Sequence, residues 1–419
     1  MNVISPDFGT ASASTPKLDQ SKKTLLFIDD RPNTLSANLF NRNDFNIVLI
    51  RYAKHGMSES YIKKTESFTS YYRDASKDLK TQVSDFADWC KSRNIKPDFL
   101  LNPSEPEQVF AHALGREIGV PSLSEEQVAW LRNKVSMKDK FREIGIPTAE
   151  YKAVSCVQDV IDFAKNWGWP VVVKPQEGFA CIKTYKIQSD KEAEKLCLES
   201  DVKWMVESYA EGIEWECCAL IAGGKVLDTY LSYMPARPIE IVDGAINANI
   251  TVRPHPADFP VDTNNLVQRI VDGMKLDHGY MHMEFFVDSD GKFLMGETGL
   301  RLAGCEIPAN HAYACGFNLF DSLIDIHMGK TPSLSYGQEH CVGDLLLPAV
   351  KGTVSYMTHA EELLSMQGVI SYKPRISIGD FVEPRRSSHF CSAVVHVEGQ
   401  SVEEVLDRMN FVLDHYKIY

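Results

Sequence analysis

MHMEFFVDSDGKFLMGETGLRLAG, residues 281–304, reads as two short strands joined by a turn at Asp288-Ser289-Asp290-Gly291. Asp and Gly favour such turns, Asp by bonding its own backbone and Gly by accepting positive φ. If Val287 pairs with Lys292, Glu284 stands across from Met295 and Glu297 across from His282. Side chains alternate along a strand, so the two glutamates share one face as diagonal neighbours. Two carboxylates so placed can hold one or two hard cations against a polyphosphate. The opposite face carries Met281, Met283, Phe285, Val287 and Leu294, which belong in a core; Phe286, Phe293 and Met295 accompany the acids. An edge hairpin with solvated acids fits the same letters, and a one-residue slip would part the two glutamates.

The remaining chain is that of a folded α/β protein. With 419 residues there is room for two to four domains. Hydrophobic residues make up 44%, charged ones 24%, and the net charge is −13. That balance argues against general nucleic-acid binding or an anionic membrane surface. No apolar run approaches the ~20 residues of a membrane span, and the first residues lack a signal-peptide pattern. The ten cysteines show no C-x-x-C pair, which fits free thiols in a reducing cytoplasm better than disulfides or zinc.

Residues 1–21 read as a mobile tail rich in Ser, Thr, Ala and Pro. Strands at 23–30, 45–51 and 97–102 alternate with helices at 81–93 and 107–118, giving a parallel sheet over 22–126. This Rossmann-like domain has no G-x-G-x-x-G; the acids of IDDR, 28–31, read as surface charge. A helix is expected over 127–144, stopped by GIP at 145–147, and further helices over 160–167 and 191–199. Strands at 169–175 and through 204–235 give an antiparallel unit that the hairpin continues, and a last helix spans 402–416. Lys174 closes a strand of three valines, where an ammonium calls for an anion, unless it snorkels to water. Lys134 taken alone is one more helix lysine. ESYAEGIE, 207–214, links two strands; its exposed backbone suits an adenine edge and Glu214 a ribose, although an acidic loop reads the same way.

Taken together, the order Lys134, Lys174, Glu207 with Glu214, Glu284, Glu297, Arg301 resembles the ATP-grasp superfamily of carboxylate–amine and carboxylate–thiol ligases, over about residues 130–335. RNKVSMKDKFREIGIP looks like the first lysine segment, with Lys134 eleven residues before Gly145, and VVVKP carries the second lysine. The resemblance implies an ATP-grasp fold of α/β and α+β parts behind the N-terminal domain. Its small lobe and lid would span 127–206, its large lobe with the metal and substrate site 207–335, and its C-terminal part 336–419. It implies ATP contacts from Lys134, Lys174, Gly178, Cys181, Glu207, Ser208, Tyr209, Ala210 and Glu214, one or two Mg2+ ions on Glu284 and Glu297, and a catalytic Arg301 that steadies an acyl phosphate. Arg253, His282, Arg301, Gly304 and Glu306 are expected at the substrates, with Asn310 beside the amine. Two departures stand out: Glu297-Thr298-Gly299 replaces the usual E-x-N, and the loop 178–182 holds a single glycine where the family has several. GETGLRLAG and the segments 379–384 and 394–409 resemble the branch that joins amino acids, the dipeptide ligases of bacilysin- and dapdiamide-type antibiotic pathways. The implied activity is ADP-forming amide synthesis from small carboxylate and amine substrates, with a homodimer compatible. Carboxylases, purine-pathway ligases and an inactive nucleotide binder share the same ATP features.

Overall fold

The computed structural model describes residues 18–52, 59–241, 244–383 and 389–419. Most of the expected tail therefore lies outside the described residues. Its last part, however, is tied down, since Asn46 Nδ2 donates to the Asp19 carbonyl at 2.8 Å.

Three sheets organise the chain. The first is parallel, in the order Thr69–Arg73, Asn46–Tyr52, Thr24–Ile28, Phe99–Leu101. The strand at 69–73 was not expected from the sequence; its TSYYR lacks the apolar run of its neighbours because it lies at the sheet edge. Helices Leu79–Ser92 and Gln108–Ile118 pack Val83, Phe86, Phe110 and Leu114 onto Leu26, Ile28, Val48 and Ile50. The second sheet is antiparallel, ordered Tyr151–Val154, Trp204–Ser208, Val171–Pro175, Tyr185–Ile187, and is backed by helix Val157–Trp167. The helix expected over 191–199 shrinks to Asp190–Ala193.

The third sheet has eight strands, ordered Phe293–Leu300, Gly279–Val287, Ile213–Ala222, Lys225–Tyr233, Ala248–Thr251, Cys341–Leu347, Ala393–Gly399, Val369–Pro374. Alternation sorts its faces. Cys217, Ala219, Ile221, Met281, Met283 and Phe285 pack under helix Thr263–Met274. Cys218, Leu220 and Tyr280 face helices Ile307–Cys315 and Leu319–His327 and the first sheet. Glu214, Glu216 and Glu284 fall on this second face, which is why a line of acids crosses an otherwise apolar sheet. Strands on both sides of residue 336 share this sheet. All ten cysteines are free. Among the described residues no helix is long and apolar enough to cross a membrane.

Candidate active site

The hairpin forms, but with a different register. Val287 pairs with Phe293, and Asp288 Oδ1 caps the turn by accepting from the Asp290 and Lys292 amides. The strand then bulges at Gly296, so Glu284 lies directly opposite Glu297 rather than diagonal to it, and His282 lies opposite Gly299. The register at the turn also shifts the faces: Met295 and Phe293 join the core, while Leu294 pairs with Phe286, and the bulge then returns Glu297 to the face of Glu284. A Cβ on Gly296 would lie 2.8 Å from the Glu284 carbonyl oxygen, so only glycine permits this approach.

The helix expected over 127–144 is two helices, Glu125–Arg132 and Lys134–Glu143. Asn133 adopts extended backbone between them, and its side chain accepts from the Val135 and Ser136 amides, capping the second helix. Lys134 is thereby set at a helix start, facing the hairpin. Its Nζ lies 2.8 Å from Glu297 Oε2 and donates to the Gly178 carbonyl at 3.2 Å. Lys174 Nζ lies 2.7 Å from Glu207 Oε1, and Lys138 Nζ lies 3.1 Å from Glu207 Oε2. Sequence reading missed Lys138: in a helix of six charged residues it looks solvated, yet its side chain is buried.

These groups line one cleft of about 830 Å³, partly open to solvent, between the second and third sheets. Gly178 to Ile182, the expected lid loop, form one edge of it; Ala180 and Cys181 take left-handed backbone that glycines would have adopted more readily. Glu207, Ser208, Tyr209 and Ala210 form its back, with Glu214, Glu284, Phe286 and Glu297 along the floor. Arg237, also unforeseen, donates to the Ala210 carbonyl at 2.9 Å and to that of Gly212, and stacks on Tyr209 and Phe286.

Charge is unevenly held. Burial and the neighbouring Glu297 push Glu284 up to about 7. Burial also opposes ionisation of Glu297, but Lys134 and Lys174 outweigh it and hold that carboxyl well below the usual range. Burial likewise opposes Glu207, and Lys138 and Lys174 draw it down to about 2. Burial and Glu284 raise Glu214 well above an ordinary glutamate. An acidic floor with two reluctant carboxyls, Glu284 and Glu214, is a site that lacks positive charge.

Arg301, just past the second hairpin strand and outside the lining of this cleft, meets the N-terminal domain. Its Nη2 lies 2.5 Å and its Nε 2.7 Å from Glu105 Oε2, and Arg132 pairs with the other Glu105 oxygen. His282 Nε2 lies 2.8 Å from Glu216 Oε1 and 3.5 Å from Glu284 Oε1, so it stands beside the acid pair, although opposite Gly299 and not Glu297. Other expected substrate residues lie apart. Glu306 is tied to Lys373 at 2.7 Å and Arg375 at 3.0 Å. Gly304 is closed over by His389. Asn310 is buried and donates to Asp344 Oδ1 at 2.5 Å. Arg253 is outside the cleft altogether, its guanidinium held by Asp228, Glu339 and the Thr229 carbonyl.

The donor set suits a magnesium nucleotide. Among the described residues no three His, Cys, Asp or Glu side chains could hold a metal by themselves. Mg2+ typically takes one or two carboxylates plus substrate phosphates, which is what Glu284 and Glu297 beside two lysines offer.

The fold and the cleft are similar to those of the ATP-grasp class of ligases. Residues 345–419 match the L-amino acid ligase C-terminal domain 2. Over 332 residues the chain is 24% identical to the L-arginine-specific L-amino acid ligase of Bacillus subtilis, covering 77% of this chain and 80% of that one. The crystal structure of L-amino acid ligase from Bacillus licheniformis superposes with a TM-score of 0.75 at 16% identity, over 96% of this chain and 99% of that one. N5-carboxyaminoimidazole ribonucleotide synthetase from Thermotoga maritima superposes with a TM-score of 0.69 at 16% identity, over 95% and 99%.

Proposed function

We propose that this chain is an ADP-forming ligase that joins the carboxylate of one amino acid, or a modified one, to the amine of another. The observation that carries the proposal is the single cleft in which Lys134 and Lys174 face the opposed pair Glu284 and Glu297. Similarity to L-amino acid ligases across most of the chain supports the choice of amino-acid substrates over the purine-pathway alternative.

In this reading Lys134 and Lys174 hold the ATP phosphates, and backbone from Glu207 to Ala210 takes the adenine edge. The Glu207 carboxylate has a second duty: it neutralises Lys174 and Lys138. Glu214 sits where a ribose hydroxyl would be recognised. Mg2+ on Glu284 and Glu297, one ion or two, would neutralise phosphate charge, the main aid that phosphoryl transfer needs. The substrate carboxylate attacks the γ-phosphate, and an acyl phosphate and ADP result. The amine then attacks the acyl carbon and phosphate departs. Arg301, a guanidinium near the acid pair, suits the carboxylate and then the oxyanion of the tetrahedral intermediate. His282 is placed to orient a substrate at the Glu284 end. Phe179 and Ile182, exposed on the lid edge, would close over the reactants and exclude water.

The test is a screen of paired L-amino acids with Mg-ATP, reading phosphate, ADP and peptide product together. ADP and peptide appearing in equal amounts for a subset of pairs is the expected result. ATP turnover with bicarbonate and an aminoimidazole ribonucleotide, but with no amino-acid pair, would favour the purine-type ligases instead.

A further inference from the structure

Lys138 is 1% exposed, although it carries a charge and lies in a helix whose sequence looks solvated. Burying an ammonium costs several kcal/mol, and a well-packed apolar residue in its place is often as stable or more so. Its position suggests what is gained. Residues 134, 137 and 138 lie three and four apart on one helix face. That face meets three consecutive residues of the bulged strand. Lys134 lies 2.8 Å from Glu297 Oε2, Met137 Sδ accepts from the Thr298 amide at 3.2 Å, and Lys138 Nζ donates to the Gly296 carbonyl at 3.1 Å. Gly296 is the inserted residue that brings Glu284 opposite Glu297. The other partner of Lys138 is Glu207 on strand Trp204–Ser208, whose second oxygen holds Lys174. One ammonium thus bridges the strand that cradles the nucleotide and the bulge that sets the acid pair.

We infer that Lys138 is a positioning residue which, acting through Gly296 and Glu207, couples nucleotide binding at the hinge strand to divalent-cation binding at Glu284 and Glu297. This rests on the magnesium-nucleotide reading given above. Removing the ammonium leaves Glu207 its pair with Lys174, so the hinge keeps its charge balance, while the Gly296 carbonyl loses its side-chain donor. The acid pair is then free to drift without the nucleotide cradle being dismantled.

The experiment is calorimetric titration of the full chain with ADP, with and without Mg2+, in wild type and Lys138→Met. Wild type should bind ADP more tightly with Mg2+ than without it. Lys138→Met should bind metal-free ADP within about threefold of wild type, while its Mg2+-linked gain shrinks about tenfold, or 1.4 kcal/mol. Should the Met variant not fold, Lys138→Leu, which likewise has neither donor nor charge, is expected to give the same loss. A variant with an undiminished Mg2+-linked gain overturns the inference, as does an equal weakening of ADP and Mg-ADP with a lowered melting temperature. A wild-type chain with no Mg2+-linked gain overturns the magnesium-nucleotide reading itself.

Discussion

Glu105 grips Arg301 across the boundary between two sheets: one carboxylate oxygen of the N-terminal domain meets both Nη2, at 2.5 Å, and Nε, at 2.7 Å. Burial works against the charge on Glu105, and Arg301 and Arg132 outweigh it, so the carboxyl is held below its ordinary value. The N-terminal domain therefore fixes the direction in which the guanidinium can reach. Glu105→Gln should lower turnover about tenfold, equivalent to 1.4 kcal/mol on the barrier, with ADP affinity unchanged. Steady-state kinetics beside nucleotide titration would check this; equal losses in both would mean that Glu105 only supports the fold.

Lys174 and Lys138 share Glu207, so losing Lys174 does not strand the carboxylate. Lys174→Met should consequently fold, and should weaken ATP binding by at least about tenfold, the loss of one charge-assisted contact worth about 1.5–3 kcal/mol. Fluorescent-nucleotide displacement measures this directly. Unchanged affinity would remove Lys174 from the phosphate site.

Asp344 offers a pH test away from the acid pair. It is 1% exposed, and burial raises it to about 7 from an ordinary 3.8, with Asn310 pulling the other way. A carboxyl raised in the folded state favours its protonated form. Its contribution to stability is whole below about pH 4 and is lost as pH climbs through 7, at most about 4 kcal/mol from a shift of 7 − 3.8 pH units. Asp344→Asn should remove that dependence. It should melt above wild type at pH 8 and no higher than wild type at pH 4. Parallel melting curves for the two proteins across this range would contradict the argument.

Gly296→Ala places a Cβ 2.8 Å from the Glu284 carbonyl oxygen, a backbone atom that cannot swing aside. The expected cost is about 1–3 kcal/mol of stability, and the larger effect falls on Mg2+-dependent turnover, since the bulge sets the acid pair. Ala with full activity and a lowered melting temperature would show that the bulge is structural only.

Much of this site was legible in the sequence, for physical reasons that also mark the limits. The hairpin announces itself by alternation and an Asp-Gly turn, and the shared face of Glu284 and Glu297 survives the error in register because the turn is one residue longer than expected and the bulge at Gly296 adds one more to the same strand, so the two steps together restore the face. Nothing local signals that bulge. Lys134 and Lys174 were recognisable by order and spacing. Lys138 was not, because a lysine among lysines reads as surface until the helix break at Asn133 turns its face toward the hairpin. The Glu105 contact joins residues 196 apart in the chain, beyond any local pattern. Arg253 misled because an arginine before a proline loop looks available, whereas Asp228 and Glu339 already hold it.

The most direct measurement is transfer of ¹⁸O from a labelled carboxylate substrate during turnover with Mg-ATP. If the cleft activates the carboxylate as an acyl phosphate, one ¹⁸O per peptide bond formed leaves in inorganic phosphate, with ADP as the other product. AMP and pyrophosphate as products, or phosphate free of label while peptide accumulates, would contradict the account.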